Sequence, residues 1–133
     1  SDVDIPARTG VSVERGIRPG SDRLYRAYAS ADIFCFPTKG DCTPLVLGEA
    51  MAAGLPVITT DVGSNLETIG GGAGGVVVEP GQDDQLALAL QRLVDDAVER
   101  LRMGRAAREI ARDRLDARKN GRRVFELLAE VAS

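Results

Sequence analysis

Two apolar runs constrain this chain more than anything else in it: Ile33-Phe34-Cys35-Phe36, cut off by Pro37, and Leu55 to Thr60. Both are too short for core helices and rich in aromatic or β-branched residues, so they read as strands. A continuously apolar run is expected of a strand buried on both faces. Between the two lies a helix signal from Pro44 to about Ala53. Thr43 stands at its cap, Pro44 at the first helical position, where a missing N–H does no harm, and Gly54 ends it. Strand, helix, strand at this spacing is a parallel βα unit.

The pattern repeats on both sides. Val11-Ser12-Val13-Glu14 is a candidate first strand. Ser21 caps a helix running to about Ser30, with Asp22 in its first turn and Leu24, Tyr25 and Tyr28 on its inner face. A short helix over Ser64–Ile69 precedes a strand at Val76-Val77-Val78-Glu79. From Asp83 the chain reads as helix to its end, with breaks near Asp95, near Leu115 and around Asn120-Gly121. The expected fold is a Rossmann-like, doubly wound parallel α/β sheet. It should have about four strands, helices on both faces and a helical C-terminus. Such sheets bind ligands outside the carboxyl ends of their strands.

Composition narrows the chemistry. At 133 residues, 44% of them apolar, residues 1–133 suit one domain. The chain has no histidine, which removes Ser-His-Asp and Cys-His triads, imidazole bases and His-liganded metals. Two cysteines, Cys35 and Cys42, are too few for a four-thiolate zinc site and suit a reducing cytoplasm. A net charge of −3 and 4% aromatic content without tryptophan argue against nucleic acid as a partner. No apolar run is long enough to span a membrane. The start at Ser1, without methionine, suggests processing or an excised piece of a longer chain.

The segment Pro37 to Thr60 carries the chemistry. Its loop leaves the carboxyl end of a strand, and the next helix presents unpaired N–H groups there, those of Leu45 and Val46 among them. A helix N-terminus carries roughly half a positive charge and suits a phosphate. Asp41 and Glu49 bracket it in an acid-x7-acid spacing.

With the following Ala50-Met51-Ala52-Ala53-Gly54-Leu55-Pro56-Val57, this segment resembles the signature of the retaining, nucleotide-sugar-dependent glycosyltransferases of GT-B fold. Upstream, Leu24 to Ile33 is similar to the family's helix running into an Ala-Asp-Ile strand, and Pro37-Thr38 to its Pro-Ser. Downstream, Asp61 to Glu67 and Val76 to Gly81 resemble two further family segments. The resemblance implies transfer of a sugar from a nucleotide-diphosphate sugar, a UDP- or GDP-sugar, to an acceptor the sequence does not name. It implies no metal or other cofactor. It gives Glu49 the ribose hydroxyls and Asp41, one methylene shorter than the usual Glu, the catalytic contact with the donor sugar. The backbone amides of Thr43, Leu45 and Val46 would meet sugar hydroxyls and the diphosphate, and Arg18, in Ile17-Arg18-Pro19, would lie near the base. Pro44 stands where many members have Gly and can offer no amide.

Members of the family are longer, with two Rossmann-like domains. The family's Arg-x4-Lys pair, which neutralises the diphosphate, has no equivalent here. The chain is therefore expected to be the later part of the C-terminal domain, inactive alone, and to dimerise through an exposed sheet edge. The alternatives are a nucleotide-sugar-binding module without catalysis, or a GT-B-like UDP-sugar epimerase. Several features have plain expectations. The run Gly70-Gly71-Gly72-Ala73-Gly74-Gly75 fits G-x-G-x-x-G but precedes a strand, so it is a turn. Glu67 is either a first-turn helix acid or a substrate contact. Cys42 and Lys39 are expected to be bystanders. Ten basic against four acidic residues lie between Glu99 and Arg123, with Arg102, Arg105, Arg108 and Arg112 at helical spacing. This is a solvated face laced with ion pairs, or alternatively a peripheral contact with anionic lipid at the inner face of the membrane.

Overall fold

The computed structural model describes residues 10–12, 15–18, 20–38, 45–62 and 65–115. Its elements are α1 (Asp22–Ser30), β1 (Phe34–Phe36), α2 (Leu45–Ala52), β2 (Val57–Thr60), α3 (Asn65–Thr68), β3 (Gly75–Val78), α4 (Asp83–Asp95) and α5 (Ala97–Leu115). The strands form one parallel sheet in the order β1-β2-β3. Phe34 stands beside Val57, and Val57 beside Gly75, in a register without slippage.

Because successive side chains of a strand point to opposite faces, this register sorts the apolar residues into two cores. On one face Phe34, Phe36, Val57 and Val77 pack with Tyr25 and Tyr28 of α1, Leu47 and Met51 of α2, Ile69, and Ala107 of α5. On the other, Cys35, Ile58, Val76 and Val78 pack with Ala89 and Leu93 of α4 and Met103 of α5. The strands step in one direction, and both connecting helices, α2 and α3, lie on the first side, as right-handed crossovers require. The helices thus cover both faces, as expected of a Rossmann-like sheet.

Among the described residues there are three of the about four strands expected. Val11 is 54% exposed and belongs to no strand, while residues 13–14 lie outside the described residues. The strand that ends at Pro37 is also only half-buried along its whole length. It lies at the edge of the sheet, whereas the central strand β2 has every residue buried. An apolar run reports what a strand could bury; its place in the sheet decides what it does bury.

Local signals set the helix ends. Ser21 accepts the Leu24 N–H on its hydroxyl at 3.2 Å, capping α1 as its sequence predicts. At the other end of α2, Gly54 adopts φ +82°. Its N–H donates to Met51 and that of Leu55 to Ala50, the two bonds of a Schellman motif. The glycine run is a turn from α3 into β3, with φ positive at Gly70, Gly71 and Gly72. Among the described residues no helix is long and apolar enough to cross a membrane.

Candidate functional site

The carboxyl ends of β1 and β2 are tied together by buried threonines. Thr59 donates its hydroxyl to the Phe36 carbonyl at 2.9 Å, and Thr60 donates to the Thr38 carbonyl. Both are fully enclosed. The Thr38 N–H also donates to Phe36 at 3.0 Å, so the chain leaves β1 in a fixed turn. The loop that follows contains Asp41 and Thr43, with Lys39, Cys42 and Pro44, and lies outside the described residues. Leu45 opens α2, and Val46 beside it is half-buried. By helix geometry the first-turn N–H groups of α2 have no partner within the helix.

Glu49 lies one turn further along α2. It is only 5% exposed, although a carboxylate is rarely buried without a partner. The Tyr25 hydroxyl of α1 donates to this carboxyl, which lowers its pKa, while burial, the larger effect, raises it above the ordinary 4.5. The second carboxylate oxygen, Oε2, is shielded from solvent and has no hydrogen-bond partner among the described residues. The hydroxyl of Tyr28 is in the same condition. Burial raises the pKa of that phenol strongly, with the nearby charge of Glu49 and then Tyr25 adding to the shift. The Tyr25 and Tyr28 rings are 6.4 Å apart, and Tyr28 meets Phe34 edge-on at 5.8 Å. A cluster of two phenols and one acid thus sits where α1 and α2 meet the sheet.

The remaining candidates are more dispersed. Arg18 is exposed on the segment before α1, and its carbonyl accepts the Ser21 N–H at 3.2 Å. Glu67 is exposed on α3 and offers its carbonyl to Gly70. Cys35 is half-buried, and burial pushes its thiol pKa up. On the basic helix α5, Glu99 binds Arg102 at 2.7 Å and Arg92 of α4 at 3.1 Å, as on a solvated face laced with ion pairs. Sequence patterning placed Tyr25 and Tyr28 on the inner face of α1 but not beside Glu49, and missed the strand ties of Thr59 and Thr60. Paired tyrosines on a buried face are themselves a signal, because each phenol needs a polar neighbour.

The family described as glycosyl transferases group 1 matches residues 16–110, which include every described element up to the middle of α5. The chain belongs to this family. Among curated glycosyltransferases it is 36% identical over 91 residues to sulfoquinovosyl transferase SQD2 of Arabidopsis thaliana, covering 66% of this chain and 18% of that one. It is 39% identical over 95 residues to the D-inositol 3-phosphate glycosyltransferase of Corynebacterium glutamicum (strain R), covering 71% and 22%. Among solved structures, sucrose-phosphate synthase from Thermosynechococcus elongatus superposes with a TM-score of 0.63 at 28% identity, over 79% of this chain and 25% of that one. This glycosyltransferase chain therefore spans about a fifth of the length of the curated relatives it matches.

Proposed function

We propose that this chain is the donor-binding part of a retaining glycosyltransferase that takes its sugar from a UDP- or GDP-sugar without a metal ion. The observation that carries this reading is the buried Glu49 carboxylate, whose Oε2 has nothing to accept from among the described residues, one turn into the helix that follows the carboxyl end of β1. An ionised carboxylate can only accept hydrogen bonds, and ribose hydroxyls are donors. The amides of Thr43, Leu45 and Val46 would face the diphosphate at the positive end of α2. Asp41 would contact the donor sugar. Arg18 is suited by its exposure to stack on a base. Catalysis then consists of holding the leaving nucleotide while the sugar departs, and the acceptor would be bound largely by parts of the protein outside this chain.

Oε2 is closed off from solvent, so a ribose hydroxyl reaches it only after its surroundings shift. Association should accordingly be slow for so small a ligand, because it waits on a conformational change. The deciding experiment is a titration of UDP, GDP and ADP against the wild-type chain and Glu49→Ala. The nucleotide that binds should lose about 1.5–3 kcal/mol, the value of a hydrogen bond to a charged group. An unchanged affinity removes Glu49 from the site. Asp41→Asn should weaken the nucleotide sugar more than the free nucleotide; equal losses would take the sugar contact away from Asp41.

A further inference from the structure

Two buried polar atoms in this chain lack partners among the described residues, and both belong to one cluster: Oε2 of Glu49 and the hydroxyl of Tyr28. Leaving a buried polar group unsatisfied is costly, and native structures hold few of them. A phenol that merely filled the core would be replaced by phenylalanine at no loss. Tyr25, one turn away on α1, shows the contrast, because its hydroxyl is committed to Glu49. Tyr28 is 4% exposed and held by its edge-on contact with Phe34 and by the neighbouring Tyr25 ring, so its hydroxyl has a fixed position, near enough to Glu49 to feel the charge of the acid.

We propose that Tyr28 is a second ligand-binding residue of this site, and that its hydroxyl and Glu49 Oε2 together grip the two hydroxyls of a vicinal diol. One diol hydroxyl donates to Oε2, and the other accepts the Tyr28 O–H. Each orphaned atom then has the partner its chemistry calls for: an acceptor for the phenol, a donor for the carboxylate. Tyr25 acts through Glu49 as a positioning residue, keeping one carboxylate oxygen occupied so that Oε2 faces the diol. The assignment rests on Glu49 being a nucleotide ligand, and it adds a specificity: the site should distinguish ribonucleotides from deoxy forms on two hydroxyls, with different residues reading each.

The test compares wild type, Tyr28→Phe and Glu49→Gln on this chain, titrated with UDP, GDP and ADP and with the 2′-deoxy and 3′-deoxy forms of whichever binds. Tyr28→Phe should weaken the ribonucleotide about fivefold to tenfold. It should leave unchanged the affinity for one of the two deoxy forms, the one lacking the hydroxyl that Tyr28 reads. Without ligand, Tyr28→Phe should melt at the wild-type temperature or above, because the hydroxyl it removes has no partner among the described residues. A lowered melting temperature or a variant that fails to fold, with wild type indifferent to both deoxy substitutions, would make the hydroxyl structural and overturn the proposal. If Glu49→Gln weakens binding and Tyr28→Phe does not, the diol grip fails while the nucleotide site stands. If Glu49→Gln binds as wild type does, or if no nucleotide binds wild type, the nucleotide site itself falls and the grip with it.

Discussion

The two faces of the sheet are built to different standards. Beneath α4 the core is apolar throughout, with Ile58, Val78, Ala89, Leu93 and Met103 enclosed and no polar atom left over among the described residues. Under α1 and α2 the core is equally well shielded, yet it encloses a carboxylate and two phenols and leaves two of their atoms without a partner among the described residues. Hydrophobic burial explains the first face completely. It cannot explain the second, where each orphaned group costs about 1–3 kcal/mol. Strain of this kind tends to collect where binding needs it, and here it collects where α1 and α2 meet the sheet.

Four substitutions would break or sharpen that contrast, and the largest effect belongs to the apolar face. Leu93→Ala, at a fully enclosed position, should destabilise the chain by about 2–5 kcal/mol in urea unfolding. It should leave nucleotide affinity of the folded fraction untouched; a loss of affinity would mean the faces are not independent. Next comes Gly104→Ala, whose new Cβ would run into the Gly54 carbonyl oxygen. Alanine favours a helix over glycine by about 1 kcal/mol. The obstacle is backbone that cannot rotate aside, so overpacking of about 1–3 kcal/mol should win and unfolding should come earlier.

Glu49→Gln should act in the opposite sense, with a pH signature. Burial raises the folded-state pKa of Glu49 above its ordinary 4.5. Its contribution to stability is therefore fully present below pH 4.5 and lost as pH rises through the folded value. At pH 7 the variant should unfold at higher denaturant than wild type, and the difference should vanish near pH 4. A wild-type advantage that grows with pH would place Glu49 among the stabilising acids and erase the contrast between the faces. The smallest effect is expected from Thr60→Val, which removes the hydroxyl bond to Thr38. It should cost about 1 kcal/mol and weaken nucleotide binding in step, because the exit from β1 loosens.

What the sequence revealed follows the range of the interactions involved. Ser21 caps α1 through a residue three positions away, and Gly54 closes α2 over five residues, so both ends were legible. The helices and the central strand were legible for the same reason. The half-burial of β1 was not, because strand order is a property of the whole sheet. Val11 alternates with polar neighbours as a strand residue would, yet no strand pairs with it. The acid spacing singled out Glu49. It could not show a carboxylate enclosed by two tyrosines more than twenty residues away, because only the packing of α1 on α2 brings them together. Asp41 and Thr43, equally prominent in sequence, lie outside the described residues.

The contact of α5 with the end of α2 has an evolutionary consequence. Gly104 rests on Gly54, and Ala107 rests on Gly74 with a backbone approach that leaves 3.1 Å for an added methyl. Gly54, Gly74 and Gly104 already carry the smallest side chain there is, so at those places drift can proceed only by enlargement: at Gly74 and Gly104 it meets main chain, and at Gly54, where an added methyl has open space, it meets a positive φ that side chains disfavour. Random change along this seam is therefore one-sided, and selection must purge nearly all of it. The helix that carries Glu49 inherits its orientation from a boundary that can hardly vary.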